Sequence, residues 1–126
     1  AVGAQEKVCE ALLSAFPAPR TECHEITPAS VVLMPLVPVQ PVLLGNAARC
    51  LIPYIDDAAS AKALFGQKKH LAVEKMVCAM ASCTDLRVRK NIAILLAKAC
   101  KSSAEVRERV SYFRGLQMMI ELQNQL

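Results

Sequence analysis

The chain has 126 residues, 54% of them hydrophobic and 21% charged, with a formal net charge of +4. So large an apolar share is ample for a buried core and argues against disorder over most of the length. The most hydrophobic run, residues 29–44, is broken by Pro35, Pro38 and Pro41 and falls short of the roughly 20 apolar residues that a spanning helix needs, so no membrane association is expected.

The length suits one domain or a fragment of something longer, and Ala1 in place of an initiator Met points to truncation or processing. The opening residues AVGAQEKVCEALL lack the basic-then-apolar order of a signal peptide. A helix is expected over Ala4 to Phe16, with Val8, Leu12, Leu13 and Phe16 on one stripe and Pro17 and Pro19 ending it. After a polar loop, Thr27-Pro28 reads as an N-cap followed by proline at the first helical position. Pro35 to Pro41 (PLVPVQP) reads as an extended, polyproline-like connector whose apolar residues favour burial over docking to a proline-reading domain. Residues 1–41 thus form an irregular N-terminal part.

From residue 42 the pattern is more regular. A helix runs from about Pro41 to Tyr54, with a bend expected at Pro53, and Asp57 caps a short helix ending at Gly66. Residues 68–82 read as an amphipathic helix with Val73, Met76, Val77 and Met80 inward. Asp85 caps a strong helix over 86–101 that buries Val88, Ile92, Leu95, Leu96 and Ala99. Ser102 and Glu105 have capping-box spacing for a short helix to Tyr112; a break at Gly115 precedes the last helix. The fold class is all-α.

Six cysteines are an even number, yet Cys50 and Cys100 sit among Ala and Leu, where a thiol serves as a small hydrophobe. Reduced thiols point to a cytoplasmic home, or a nuclear one. Cys23-His24 lacks a second ligand pair at zinc spacing, so no metal is expected. Charge is concentrated: residues 62–101 hold nine basic side chains against two acidic, a balance of +7.

Gly45-Asn46-Ala47-Ala48-Arg49-Cys50-Leu51 aligns with Lys90-Asn91-Ile92-Ala93-Ile94-Leu95-Leu96 at an offset of 45, and Ala63–Gly66 aligns with Tyr112–Gly115 at 49. Both lie near the period of helical solenoids. The stretch Asp85 to Cys100 resembles the third helix of an armadillo repeat, and the residues after Cys100 resemble the next repeat's first two helices; HEAT repeats fit the same pattern. The resemblance covers residues 42–126. It implies a right-handed solenoid fragment of about two repeats that binds another protein, its ends covered by further repeats or a second subunit. In peptide-binding armadillo proteins the third helix carries a Trp and, four residues on, an Asn that hold the partner's backbone. Those positions fall on Ile94 and Lys98, and in the preceding repeat on Arg49 and Pro53, so that ladder is missing. Asn46 and Asn91 match inter-repeat hydrogen-bonding residues instead.

Arg87, Lys90, Lys98 and Lys101 share the outer face of the 86–101 helix with Ile94 among them. With Arg49 they form the candidate partner-binding set: a basic, partly aliphatic face suited to an acidic peptide or helix, where the bland alternative is a solvated helix face. Met76, Met80, Met118 and Met119 at helical spacing read as core before binding surface. The +7 segment also admits phosphate-driven nucleic-acid binding, which the absence of interleaved aromatics disfavours. Self-association through an open solenoid end is a third reading. With only His24 and His70, no phosphate loop and no nucleophile elbow, neither catalysis nor a cofactor is expected.

Overall fold

A computed structural model describes residues 2–16, 40–55, 64–65 and 71–125. The helices among them are α1 (Val2–Leu13), α2 (Pro41–Ile55), α3 (Ala72–Ser82), α4 (Leu86–Ser102), α5 (Ala104–Tyr112) and α6 (Gly115–Gln125), and no strand occurs among the described residues. The expected Thr27 cap, the proline-rich connector, the Asp57 cap and Gly66 lie outside them, as do Cys23, His24 and His70.

The arrangement is organised around α4. Its most extensive neighbour is α2, and it also touches α3, α5 and α6. Asp85 starts it: one carboxylate oxygen accepts the backbone N–H of Arg87 at 2.9 Å and of Val88 at 3.4 Å, occupying donors that a first helical turn leaves open. Ile92, Leu95, Leu96 and Ala99 are then fully buried along one side. Each large aliphatic so buried contributes about 1.5–3 kcal/mol, against about 0–1 kcal/mol for an exposed ion pair. The apolar side therefore sets how α4 lies, and its charges are left facing out.

Around α4 several expectations are corrected. In α1 the buried side chains are Cys9, Leu13 and, just past the helix, Phe16, while Val8 is 43% exposed. The helix leans chiefly on α2, and the stripe facing that one neighbour is the one that is covered. The α2 helix runs as expected, staying helical through Pro53 to Ile55; the proline forfeits one bond, to the Arg49 carbonyl, in the last turn. Cys50 is exposed rather than packed, although Cys100 is buried. The α3 helix is not amphipathic. Ala72, Val73, Glu74, Met76 and every residue from Val77 to Met80 are buried, because α4, α5 and α6 all pack against it.

The helix joints differ from expectation by a residue each. Ser103, not Ser102, caps α5, its hydroxyl accepting the Val106 N–H at 3.4 Å. Ser102 ends α4 and donates its hydroxyl back to the Lys98 carbonyl at 3.2 Å. The break before α6 falls on Phe113 and Arg114, and Arg114 takes the left-handed conformation with φ 62. Gly115 is the buried first residue of α6, where a Cβ would stand 2.7 Å from Val110 Cγ1 and 3.2 Å from Val77 Cγ2. The methionines divide: Met76 and Met80 are fully buried, and Met118 and Met119 are half-buried against the same core.

Candidate protein-binding face

The outer side of α4 is where the expected partner-binding residues meet. Arg87, Lys90 and Lys101 are exposed, and Ile94 among them is 37% exposed. Lys98 shares this side by its helical position but is half-buried and already has an interaction of its own. From Arg87 to Lys101 the face runs about 21 Å along the helix at about 1.5 Å per residue. Arg49 is exposed on α2, the neighbouring helix. Asn46 and Asn91, matched to inter-repeat hydrogen-bonding positions, are each the sixth residue of their helix, Asn46 exposed and Asn91 half-buried.

Two further cations of the basic segment turn away from this face. Arg89 is half-buried and reaches α6, where its Nη1 donates to Gln125 Oε1 at 3.4 Å; its Nε is buried without a hydrogen-bond partner. Lys75 is half-buried on α3, and burial holds its ammonium below the ordinary lysine value.

The two acids of the same segment have structural duties. Asp85 caps α4. Glu74 is only 4% exposed and is ion-paired to Arg109 of α5, whose Nη1 also donates to the Phe65 carbonyl at 2.7 Å. This pair was not legible beforehand. The only sign of it is a carboxylate in an otherwise aliphatic stretch, and its partner lies 35 residues on. With Glu74 neutralised internally, the outer side of α4 carries no acid between Leu86 and Ser102.

The cysteines offer little chemistry. Cys9, Cys78, Cys83 and Cys100 are buried, all five cysteines among the described residues are free, and burial pushes the Cys78 and Cys100 thiols above the ordinary value. Buried thiols with raised values are poor nucleophiles and poor metal ligands. Among the described residues no group of three His, Cys, Asp or Glu side chains comes together as a metal set. No helix among them is long and apolar enough to cross a membrane.

No family model matches this chain, and neither does any curated protein or solved structure.

Proposed function

We propose that the chain is a protein–protein interaction module, an armadillo-like helical solenoid piece whose partner, an acidic peptide or helix, lies along the outer face of α4. The observation that carries this reading is the one-sided character of that helix. Its inner side is fully buried, while Arg87, Lys90 and Lys101 stand exposed around Ile94 with no acid among them. Aliphatic stems with charged heads can cover an apolar partner residue and still reach its carboxylates.

The repeat reading draws support from the pairing of α2 with α4, the two helices related by the 45-residue offset, as α4's most extensive contact. In that reading α3 and α4 complete one repeat together with the helical residues Leu64 and Phe65, and α5 and α6 open the next. Because the Trp and Asn positions hold Ile94 and Lys98, binding would rest on side-chain charge and one apolar contact rather than on an amide ladder. Such a face mainly speeds encounter and is weakened by salt. A cytoplasmic or nuclear setting suits the free thiols.

The test uses a synthetic helical peptide with glutamates flanking a leucine, titrated against the chain and against an Arg87→Glu/Lys90→Glu/Lys98→Glu variant whose helicity is checked first. Affinity is expected to drop at least tenfold on reversal and to fall steadily with salt. Equal affinity for both proteins rejects the reading. A duplex DNA probe that binds where the peptide does not would transfer the face to nucleic acid, and a partner captured from extract that disappears on nuclease treatment would do the same.

A further inference from the structure

The outer face of α4 carries a spacing as well as a charge. Arg87, Lys90, Ile94, Ala97 and Lys101 are all exposed, and at about 100° per residue they fall within about 80° of arc. Successive members are three or four residues apart, the spacing at which one helix seats another. Leu86, 41% exposed at the start of the helix, borders the same strip. Ala97 stands one turn beyond Ile94, so the middle of the strip offers a ridge next to a shallow hollow.

The side chains of this strip donate hydrogen bonds and accept none. Arg87, Lys90 and Lys101 carry only donors, and Leu86, Ile94 and Ala97 carry neither donor nor acceptor. The side-chain amide of Asn91 is half-buried at the edge, and the two amide-ladder positions hold Ile94 and Lys98. An extended segment laid here would find no side-chain acceptor for the backbone N–H groups it turns toward α4. A helix has those groups paired internally and presents side chains alone. Carboxylates on those side chains complement a face that holds cations and no acid.

Resting on the acidic-partner reading of α4, we infer that the partner is itself an α-helix, acidic and amphipathic, lying lengthwise along this strip. Its carboxylates fall in two groups, one over Arg87 and Lys90 and the other over Lys101. Lys101 is eleven residues beyond Lys90, so the groups stand about three turns apart. Between them a leucine-sized side chain fills the hollow over Ala97 and touches Ile94. Covering the strip takes about 14 residues of partner helix at about 1.5 Å per residue. One helix pair is a small interface, so dissociation constants of roughly 10–100 μM at low salt are expected.

The test measures the fluorescence anisotropy of two labelled peptides that share the same acids and the central leucine. One is locked as a helix by a covalent link on its outer side, and the other carries two prolines there and cannot become helical. The locked peptide is expected to bind at least tenfold tighter. Ile94→Glu and Ala97→Glu are each expected to weaken its binding at least fivefold, with circular dichroism confirming that both variants fold. Equal affinity for the two peptides, or tighter binding of the proline one, overturns the helical partner and leaves the acidic-partner reading standing. Binding of neither peptide overturns both. A locked peptide that binds the Arg87→Glu/Lys90→Glu/Lys98→Glu variant undiminished sits elsewhere on the chain, which also overturns the inference.

Discussion

Arg109 of α5 forms an ion pair with Glu74 of α3 and, with its other terminal nitrogen, donates to the carbonyl of Phe65. One guanidinium thereby ties α5 to Glu74 and to Phe65, 35 and 44 residues earlier in the chain. Glu74 is almost fully buried, and its second oxygen, Oε2, has no hydrogen-bond partner. Removing one member of a buried pair leaves an uncompensated charge, which costs about 3–5 kcal/mol. Arg109→Ala is therefore expected to lower stability by about that amount in urea unfolding, whereas Arg107→Ala on the exposed side of α5 should cost under about 1 kcal/mol. Replacing Glu74 and Arg109 together by methionine should recover a large part of the loss. An Arg109→Ala protein as stable as wild type would mean that the pair contributes nothing.

Gly115 permits the α5–α6 turn to close on the core. A Cβ there would stand 2.7 Å from Val110 Cγ1 and 3.2 Å from the Val110 carbonyl oxygen, with backbone on one side and a stiff β-branched residue on the other. Gly115→Ala is expected to destabilise by about 1–3 kcal/mol through overpacking. At Gly45 the nearest atom is Val88 Cγ2 at 3.2 Å, and the alanine gains roughly 1 kcal/mol of helix propensity in mid-helix. Gly45→Ala is therefore expected to be nearly neutral. Chemical denaturation of the two variants side by side checks the difference.

The two serines before α5 separate capping from spacing. Ser103→Ala removes the acceptor for the Val106 N–H and should cost about 1 kcal/mol. Ser102→Ala removes only a hydroxyl that bonds back within α4 and should cost a few tenths of a kcal/mol. If Ser102→Ala proves the more damaging in thermal melts, the cap belongs one residue earlier.

What could be read in advance was what repeats at short range. The α4 helix announced itself through Asp85 and the spacing of Val88, Ile92, Leu95, Leu96 and Ala99, since each buried residue lies on the side that the 3.6-residue period puts inward. The outer cations Arg87, Lys90, Lys98 and Lys101 were legible by the same geometry. In α3 the inward residues Val73, Met76, Val77 and Met80 were equally legible and are fully buried. The burial of Glu74 was not, because only tertiary packing from α4, α5 and α6 covers that side, where Lys75 stays half-buried. Gly115 misled because glycine commonly ends helices in the left-handed conformation, whereas here Arg114 takes that conformation and the glycine is needed for its lack of a side chain. Cys50 misled because Ala and Leu neighbours in sequence are not neighbours across the helix.

Burial of Cys78 and Cys100 makes the fold sensitive to alkali, with a definite sign. Both thiols are held above the ordinary value of 9.0 by desolvation, partly countered at Cys78 by Ser82 and at Cys100 by Arg107. In the unfolded chain they ionise first, so the unfolded state binds fewer protons above that value. Their contribution is whole below pH 9.0 and is lost as pH rises through the folded-state values. Lys75 acts the other way. Its value lies below the ordinary 10.5, so the cost of its half-buried charge is present at neutral pH and disappears as pH approaches 10.5. Urea unfolding between about pH 7 and pH 10 is expected to show wild type losing stability relative to a Cys78→Ala/Cys100→Ala variant. The advantage of Lys75→Met over wild type is expected to shrink across the same range. In native protein at pH 8, iodoacetamide should label Cys50 well ahead of Cys9, Cys78, Cys83 and Cys100, since only Cys50 of these five is exposed. Parallel stability curves for wild type and the double cysteine variant, or even labelling of all five thiols, would show that Cys78 and Cys100 are not shielded by the helices around them.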